Sequence, residues 1–109
     1  MVIYKEYSIF VIYYFALILS FDCKDTEKVS GGEFTKKWSL EIRRVAMRRL
    51  DYLNAAVSLE DLRIPPSNRL HVLKGDLKEF HSISINMKWR IVFKWKDGNA
   101  YNVKITNYH

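Results

Sequence analysis

Three histidines, His71, His81 and His109, are the side chains of this 109-residue chain best suited to moving protons near neutral pH. Lys74, Lys88, Arg90, Lys94 and Lys104 lie in the same C-terminal stretch and make it cationic. Acid–base groups beside cations suit the metal-free opening of a phosphodiester. A base helps a neighbouring hydroxyl attack phosphorus, an acid protonates the departing oxygen, and cations stabilise the added negative charge. Other chemistries lack their parts. There is no Asp/Glu cluster for Mg²⁺, no glycine-rich phosphate loop and no GxSxG elbow, so no cofactor or metal is expected. Cys23 is the only cysteine, which leaves no internal disulfide and no CxxC or Cys/His zinc pattern. Its bland reading is a small, half-buried residue. Taken singly, each histidine is more often structural or exposed than catalytic, so the inventory is equally compatible with no catalysis.

The elements that must position these groups fit one domain with one modest core. Apolar residues make up 49% of the chain and aromatics 15%, which argues against disorder. The formal net charge of +6 points toward a polyanionic partner without proving one. CKDTEK, Cys23 to Lys28, suits a short helix stopped by Gly31-Gly32. Ser39 can cap a longer helix whose apolar face is Ile42, Val45, Ala46, Leu50 and Leu53. Arg43, Arg44, Arg48 and Arg49 lie mainly off that face. They read either as a solvated surface or as contacts to RNA phosphates or an acidic partner. Ser58-Leu59-Glu60-Asp61 forms a capping pattern for one more turn, and Pro65-Pro66 ends helical structure.

From Asn68 the pattern changes to period two. Ile83 and Ile85, then Trp89, Ile91, Phe93 and Trp95, then Tyr101, Val103 and Ile105 mark three antiparallel strands with one buried face. Asp97-Gly98 marks the last hairpin. A two-residue turn would set Trp95 opposite Ala100 and Phe93 opposite Asn102. A three-residue loop, Lys96-Asp97-Gly98, keeps the apolar stripe together by pairing Phe93 with Tyr101 and Ile91 with Val103, and is the preferred register. Arg90 then faces Lys104 on a basic, non-core face that includes Lys94 and Lys96. The expected fold class is α+β, with N-terminal helices packed on one face of a small antiparallel sheet.

Several ordered motifs carry a resemblance. Leu73-Lys74-Gly75-Asp76, Ser82-Ile83, Trp89-Arg90-Ile91, Gly98-Asn99-Ala100-Tyr101 and the terminal Tyr108-His109 follow one another as they do in the HigB branch of the RelE superfamily. SLEDLRIPPSNRL, Ser58 to Leu70, is similar to the segment that precedes the LKGD block, and CKDTEK resembles the opening of these proteins. The resemblance implies the RelE-like fold. It also implies the toxin of a type II toxin–antitoxin module: a cytoplasmic endoribonuclease that cuts mRNA in the A site of the 70S ribosome without a metal. Its implied partners are mRNA, the ribosome and a HigA-type helix-turn-helix antitoxin, with no membrane. By residue, it implies proton transfer by His109, charge stabilisation by Arg90 and Lys74, and support from Tyr108 and His71. Lys88, Lys94 and Lys104 are the candidate RNA contacts.

Departures from the family pattern leave a second reading open. Ser84 and Asn86 occupy a stretch where members commonly carry an arginine, His81 and Thr106-Asn107 also differ, and one fewer cation would weaken phosphate stabilisation. A catalytically weakened relative could still hold an antitoxin and serve autoregulation. The N-terminus is a further oddity. Ile9 to Leu19 is an apolar run shorter than the ~20 residues that span a bilayer, so a membrane-tethered protein is the third reading. Family members begin with a short apolar strand that aligns with Leu17–Phe21. Residues 1–16 are therefore expected to be an upstream extension, from a start set too early, ahead of a toxin domain at 17–109.

Overall fold

The computed structural model describes residues 17–108. Two helices, α1 (Lys24–Ser30) and α2 (Leu40–Ala55), precede an antiparallel sheet of β1 (His71–Val72), β2 (Phe80–Ser84), β3 (Trp89–Lys96) and β4 (Asn99–Asn107), ordered β1-β2-β3-β4. This is the expected α+β architecture, with one strand more than the alternation announces. β1 has only two residues, too few to show a period.

The helices form where their end signals stand. The Ser39 hydroxyl accepts from the Ile42 amide at 3.2 Å and so satisfies one of the free donors at the start of α2. Asp61 accepts from the amides of Val57 and Ser58, opening a 3-10 turn over Leu59–Arg63. These two amides hold its carboxyl below the usual range. From α2, Ala46, Leu50 and Leu53 bury against Ile83, Ile91, Phe93, Val103 and Ile105, so both helices cover one face of the sheet. Withdrawing a side chain such as Leu50 or Leu53 from water stabilises the fold by roughly 1.5–3 kcal/mol.

The arginine run on α2 divides. Arg44 and Arg48 are exposed, but Arg49 is buried. Its Nε donates to the Ser84 carbonyl at 3.0 Å and its Nη2 to the Ser67 hydroxyl at 3.3 Å, which ties α2 to the end of β2. The 3.6-residue period sets Arg49 within the apolar stripe of Val45, Ala46 and Leu53, not off it as expected, and the carbonyl at the strand end pairs its charged head there.

Two findings correct the expected hairpin. The turn has two residues, with Lys96 opposite Asn99 and Trp95 opposite Ala100. Asp97 (φ 53°) and Gly98 (φ 80°) are both left-handed, as a tight hairpin turn requires. The register then shifts between Val92 and Lys94, where β4 carries one extra residue, and Asn102 sits there at φ 54°. Past the bulge Ile91 pairs with Ile105, Val92 with Lys104 and Arg90 with Thr106, so Arg90 does not face Lys104. The bulge does by geometry what the three-residue loop was expected to do. It returns Val103 and Ile105 to the core, while Ala100 rather than Tyr101 fills the buried place near the turn.

The outer edge of β4 is covered by the N-terminal segment. Residues 17–21 run parallel to it, with Ile18 bridging Ala100 and Phe21 bridging Val103. Ala100 donates to the Leu17 carbonyl, Asn102 to the Ser20 hydroxyl and Val103 to the Ser20 carbonyl. Further along, the Ile105 amide donates to the buried Thr26 hydroxyl of α1 at 3.0 Å. The edge that would otherwise invite pairing with another chain is thus closed. The short apolar strand expected at Leu17–Phe21 is reduced to two isolated bridges, at Ile18 and Phe21, and residues 1–16 lie outside the described residues.

A β-branched residue tolerates the left-handed conformation at Asn102 poorly, whereas glycine adopts it freely. Both replacements remove the Asn102–Asp22 side-chain bond, so their difference isolates the backbone. Asn102→Val is expected to lower unfolding free energy by about 1–2 kcal/mol more than Asn102→Gly in urea titrations. Equal losses would contradict the bulge as a constraint.

Candidate active site on the helix-free face

Side chains alternate across a sheet, so β3 sends Ile91 and Phe93 to the helices and Arg90, Val92 and Lys94 to the other side. Register adds Phe80, Ser82 and Ser84 from β2, Lys104 and Thr106 from β4, and His71 opposite Ser82 from β1. Val92 and Ser82 are buried and form the floor of this face. Arg90, Lys94 and Lys104 surround that floor with positive charge.

Tyr108 completes the group. Its amide donates to the Lys88 carbonyl at 2.9 Å, which holds the chain beyond β4 against the β2–β3 turn. The Arg90 guanidinium lies over the Tyr108 ring, 4.9 Å from its centre, a contact worth ~0.5–2 kcal/mol according to its exposure. Among the described residues, buried Arg90 Nε has no acceptor and the Ser82 hydroxyl likewise has no partner. An unsatisfied buried donor is costly.

Beside Tyr108 opens a cleft of about 390 Å³ lined by Arg69, His71, Met87 and Tyr108. His71 Nδ1 lies 3.0 Å from the Arg69 carbonyl. A carbonyl can only accept, so Nδ1 carries a proton and Nε2 is left as the reactive nitrogen. The carbonyl is placed by an unusual backbone: Arg69 is left-handed, at φ 49° and ψ 50°. That costs a non-glycine residue roughly 1–2 kcal/mol. Fully buried Asn68 secures the bend by donating to the Leu62 carbonyl at 3.0 Å.

The sequence-predicted residues that the structure describes fall into three groups. His71, Tyr108 and Arg90 are brought together. Lys94 and Lys104 share their face. Lys74 stands exposed beyond β1 and makes no hydrogen bond or ion pair among the described residues, while the Lys88 ammonium turns over the Trp89 ring at 5.5 Å and contributes its carbonyl to Tyr108. His109 lies outside the described residues. Sequence reasoning missed Arg69 and Met87, which is 91% exposed at the cleft. It also read Asn86 only as a lost cation. Asn86 Oδ1 accepts from the amides of Lys88 and Trp89, both at 2.8 Å, and so builds the turn that catches Tyr108. Among the described residues no three His, Cys, Asp or Glu side chains gather as metal ligands would, and no helix is long and apolar enough to cross a membrane.

The arrangement of helices and sheet is that of RelE-like α+β proteins. It matches the crystal structure of YafQ from E. coli strain BL21(DE3) over 85% of this chain and 93% of that one, with a TM-score of 0.53 at 13% identity, a likeness of fold alone. The family model described as the RelE-like toxin of the type II toxin–antitoxin system HigB matches residues 31–109, and the chain belongs to that family. It is similar to Toxin HigB-1 of Vibrio cholerae serotype O1, 46% identical over 61 residues that cover 56% of this chain and 64% of the relative. It is also similar to Endoribonuclease HigB of Proteus vulgaris, 34% identical over 61 residues that cover 56% of this chain and 65% of that one. The matched stretch thus spans just under two thirds of either relative.

His81 belongs to the opposite face. It pairs with Phe93, stacks on that ring at 5.7 Å, and has a buried Nδ1 without a partner. Burial pushes its pKa below the ordinary 6.5. The unfolded chain therefore takes up a proton as pH falls through about 6.5, while the folded state resists it. This component of stability is intact above that pH, is lost as pH falls toward the depressed folded value, and changes no further below it. Thermal melts between about pH 7.5 and pH 5 are expected to show wild type losing more stability than His81→Phe. Parallel curves would contradict the assignment.

Proposed function

We propose that this protein is a ribosome-dependent endoribonuclease toxin that cuts mRNA in the A site through attack of a ribose 2′-hydroxyl. The observation that carries the reading is the Arg90 guanidinium, stacked on Tyr108 with its buried Nε unpaired, beside a cleft that holds His71 in a defined tautomer. Membership of the HigB toxin family and a relative named Endoribonuclease HigB support it.

The chemistry needs two proton transfers and a cation. His71, with Nδ1 engaged, offers Nε2 to take the 2′-hydroxyl proton, and His109 protonates the departing 5′-oxygen. The 2′-oxygen closes on phosphorus, leaving a cyclic phosphate on one fragment and a 5′-hydroxyl on the other. Arg90 and Lys74 stabilise the charge that builds on the phosphorane. Lys94 and Lys104 hold flanking phosphates, which fixes the strand without reading its bases. Exposed Met87 gives an unstacked base an adaptable apolar surface. A HigA-type antitoxin completes the module and restrains the toxin in the cytoplasm, where it meets the ribosome.

Mapping 5′ ends on a reporter mRNA in a reconstituted translation system tests this reading. Full-length protein is expected to cut at A-site codons only when ribosomes are present. Arg90→Ala and His109→Ala are expected to slow cleavage by at least about 100-fold while remaining folded. Absence of cuts from folded wild type that still binds its antitoxin would replace the reading with a binding and autoregulatory module.

A further inference from the structure

Arg69 stands in the cleft with His71 and Tyr108, and its side chain has no part in the scheme above. Its backbone does have a task, because its carbonyl fixes the His71 tautomer. That task needs only the left-handed bend, which glycine adopts without strain. An arginine occupies the place instead, and its side chain is exposed at the cleft wall.

The surroundings leave that charge uncommitted. Among the described residues the cleft lining includes no acidic side chain, and the one ion pair is Arg63–Glu60, elsewhere in the chain. Strand β2, meanwhile, offers the helix-free face only hydroxyls at its last positions. The Ser84 hydroxyl is spent on the Asn86 carbonyl at 3.0 Å, and Asn86 is spent on its turn. Tyr108 links the two sides, since its ring touches Arg90 and lines the cleft with Arg69. The geometry points to Arg69 as a second phosphate-binding residue, gripping an RNA phosphate in the cleft and supplying the cation that β2 lacks. This rests on the endoribonuclease reading for its substrate and on Arg69 itself for its site.

Arg69→Gly removes the guanidinium and keeps the bend, and with it the bond to His71. Arg69→Lys restores charge without the fork. The binding probe is an uncleavable trinucleotide with 2′-deoxy riboses, titrated into the full chain and followed by NMR, alongside cleavage on programmed ribosomes. Arg69→Gly is expected to bind the trinucleotide at least about fivefold more weakly, with a salt slope shallower by about 0.7. It is also expected to cut roughly 10- to 100-fold more slowly, at a melting temperature equal to or above wild type. Arg69→Lys is expected to recover most of the binding. Wild-type affinity in Arg69→Gly, or no perturbation at His71 and Tyr108 when wild type is titrated, would overturn the assignment. Wild type that binds the trinucleotide in an Arg69-dependent way but cuts no mRNA would sink the ribonuclease reading and support the phosphate site.

Discussion

The left-handed residue at Asn102 is the constraint on which the rest of the sheet depends. A tight two-residue turn at Asp97-Gly98 fixes the start of β4, with Ala100 buried opposite Trp95. Strict alternation from there would send Val103 and Ile105 away from the helices. The extra residue at Asn102 resets the phase. Val103 and Ile105 enter the core, and Lys104, Thr106 and Tyr108 pass to the side of Arg90. Burial of the core and assembly of the site are thus decided by one backbone conformation.

A second constraint is the closure of the β4 edge. The segment 17–21 and Thr26 take up the outward amides of β4, so the strand that delivers Tyr108 is paired on both sides. On the other flank, Arg49 and Asn86 fix the end of β2 and the turn into β3. The helix-free face can therefore keep buried polar groups unpaired at Arg90 and Ser82. Its frame is held by bonds elsewhere.

Much of this was legible in the residues. The Ser39 cap, the apolar face of α2, the Gly31 stop and the alternation through β3 are local signals, and each produced the element it announces. The order of motifs from Leu73 to Tyr108 marked the family. What could not be read was non-local. The course of residues 17–21 along β4 is fixed by partners about eighty positions away; five residues carry no period of their own, and only the resemblance pointed to an extended segment there. The hairpin register was missed because Tyr101, Val103 and Ile105 alternate convincingly, while the bulge that breaks the alternation hangs on an asparagine whose signal is weak. Arg69 was passed over because its role comes from a bend set by Asn68, not from any motif.

On the proposed reading, RNA meets the helix-free face of the sheet rather than the arginines of α2. Photocrosslinking tests it most directly. An mRNA with 4-thiouridine in its A-site codon would be loaded on ribosomes with the His109→Ala protein, which is expected to cut it slowly, and the cross-linked peptides mapped by mass spectrometry. Cross-links are expected in the segments that hold Arg69 and His71, Met87 and Lys88, and Tyr108. Cross-links confined to α2 around Arg43, Arg44 and Arg48 would contradict the account.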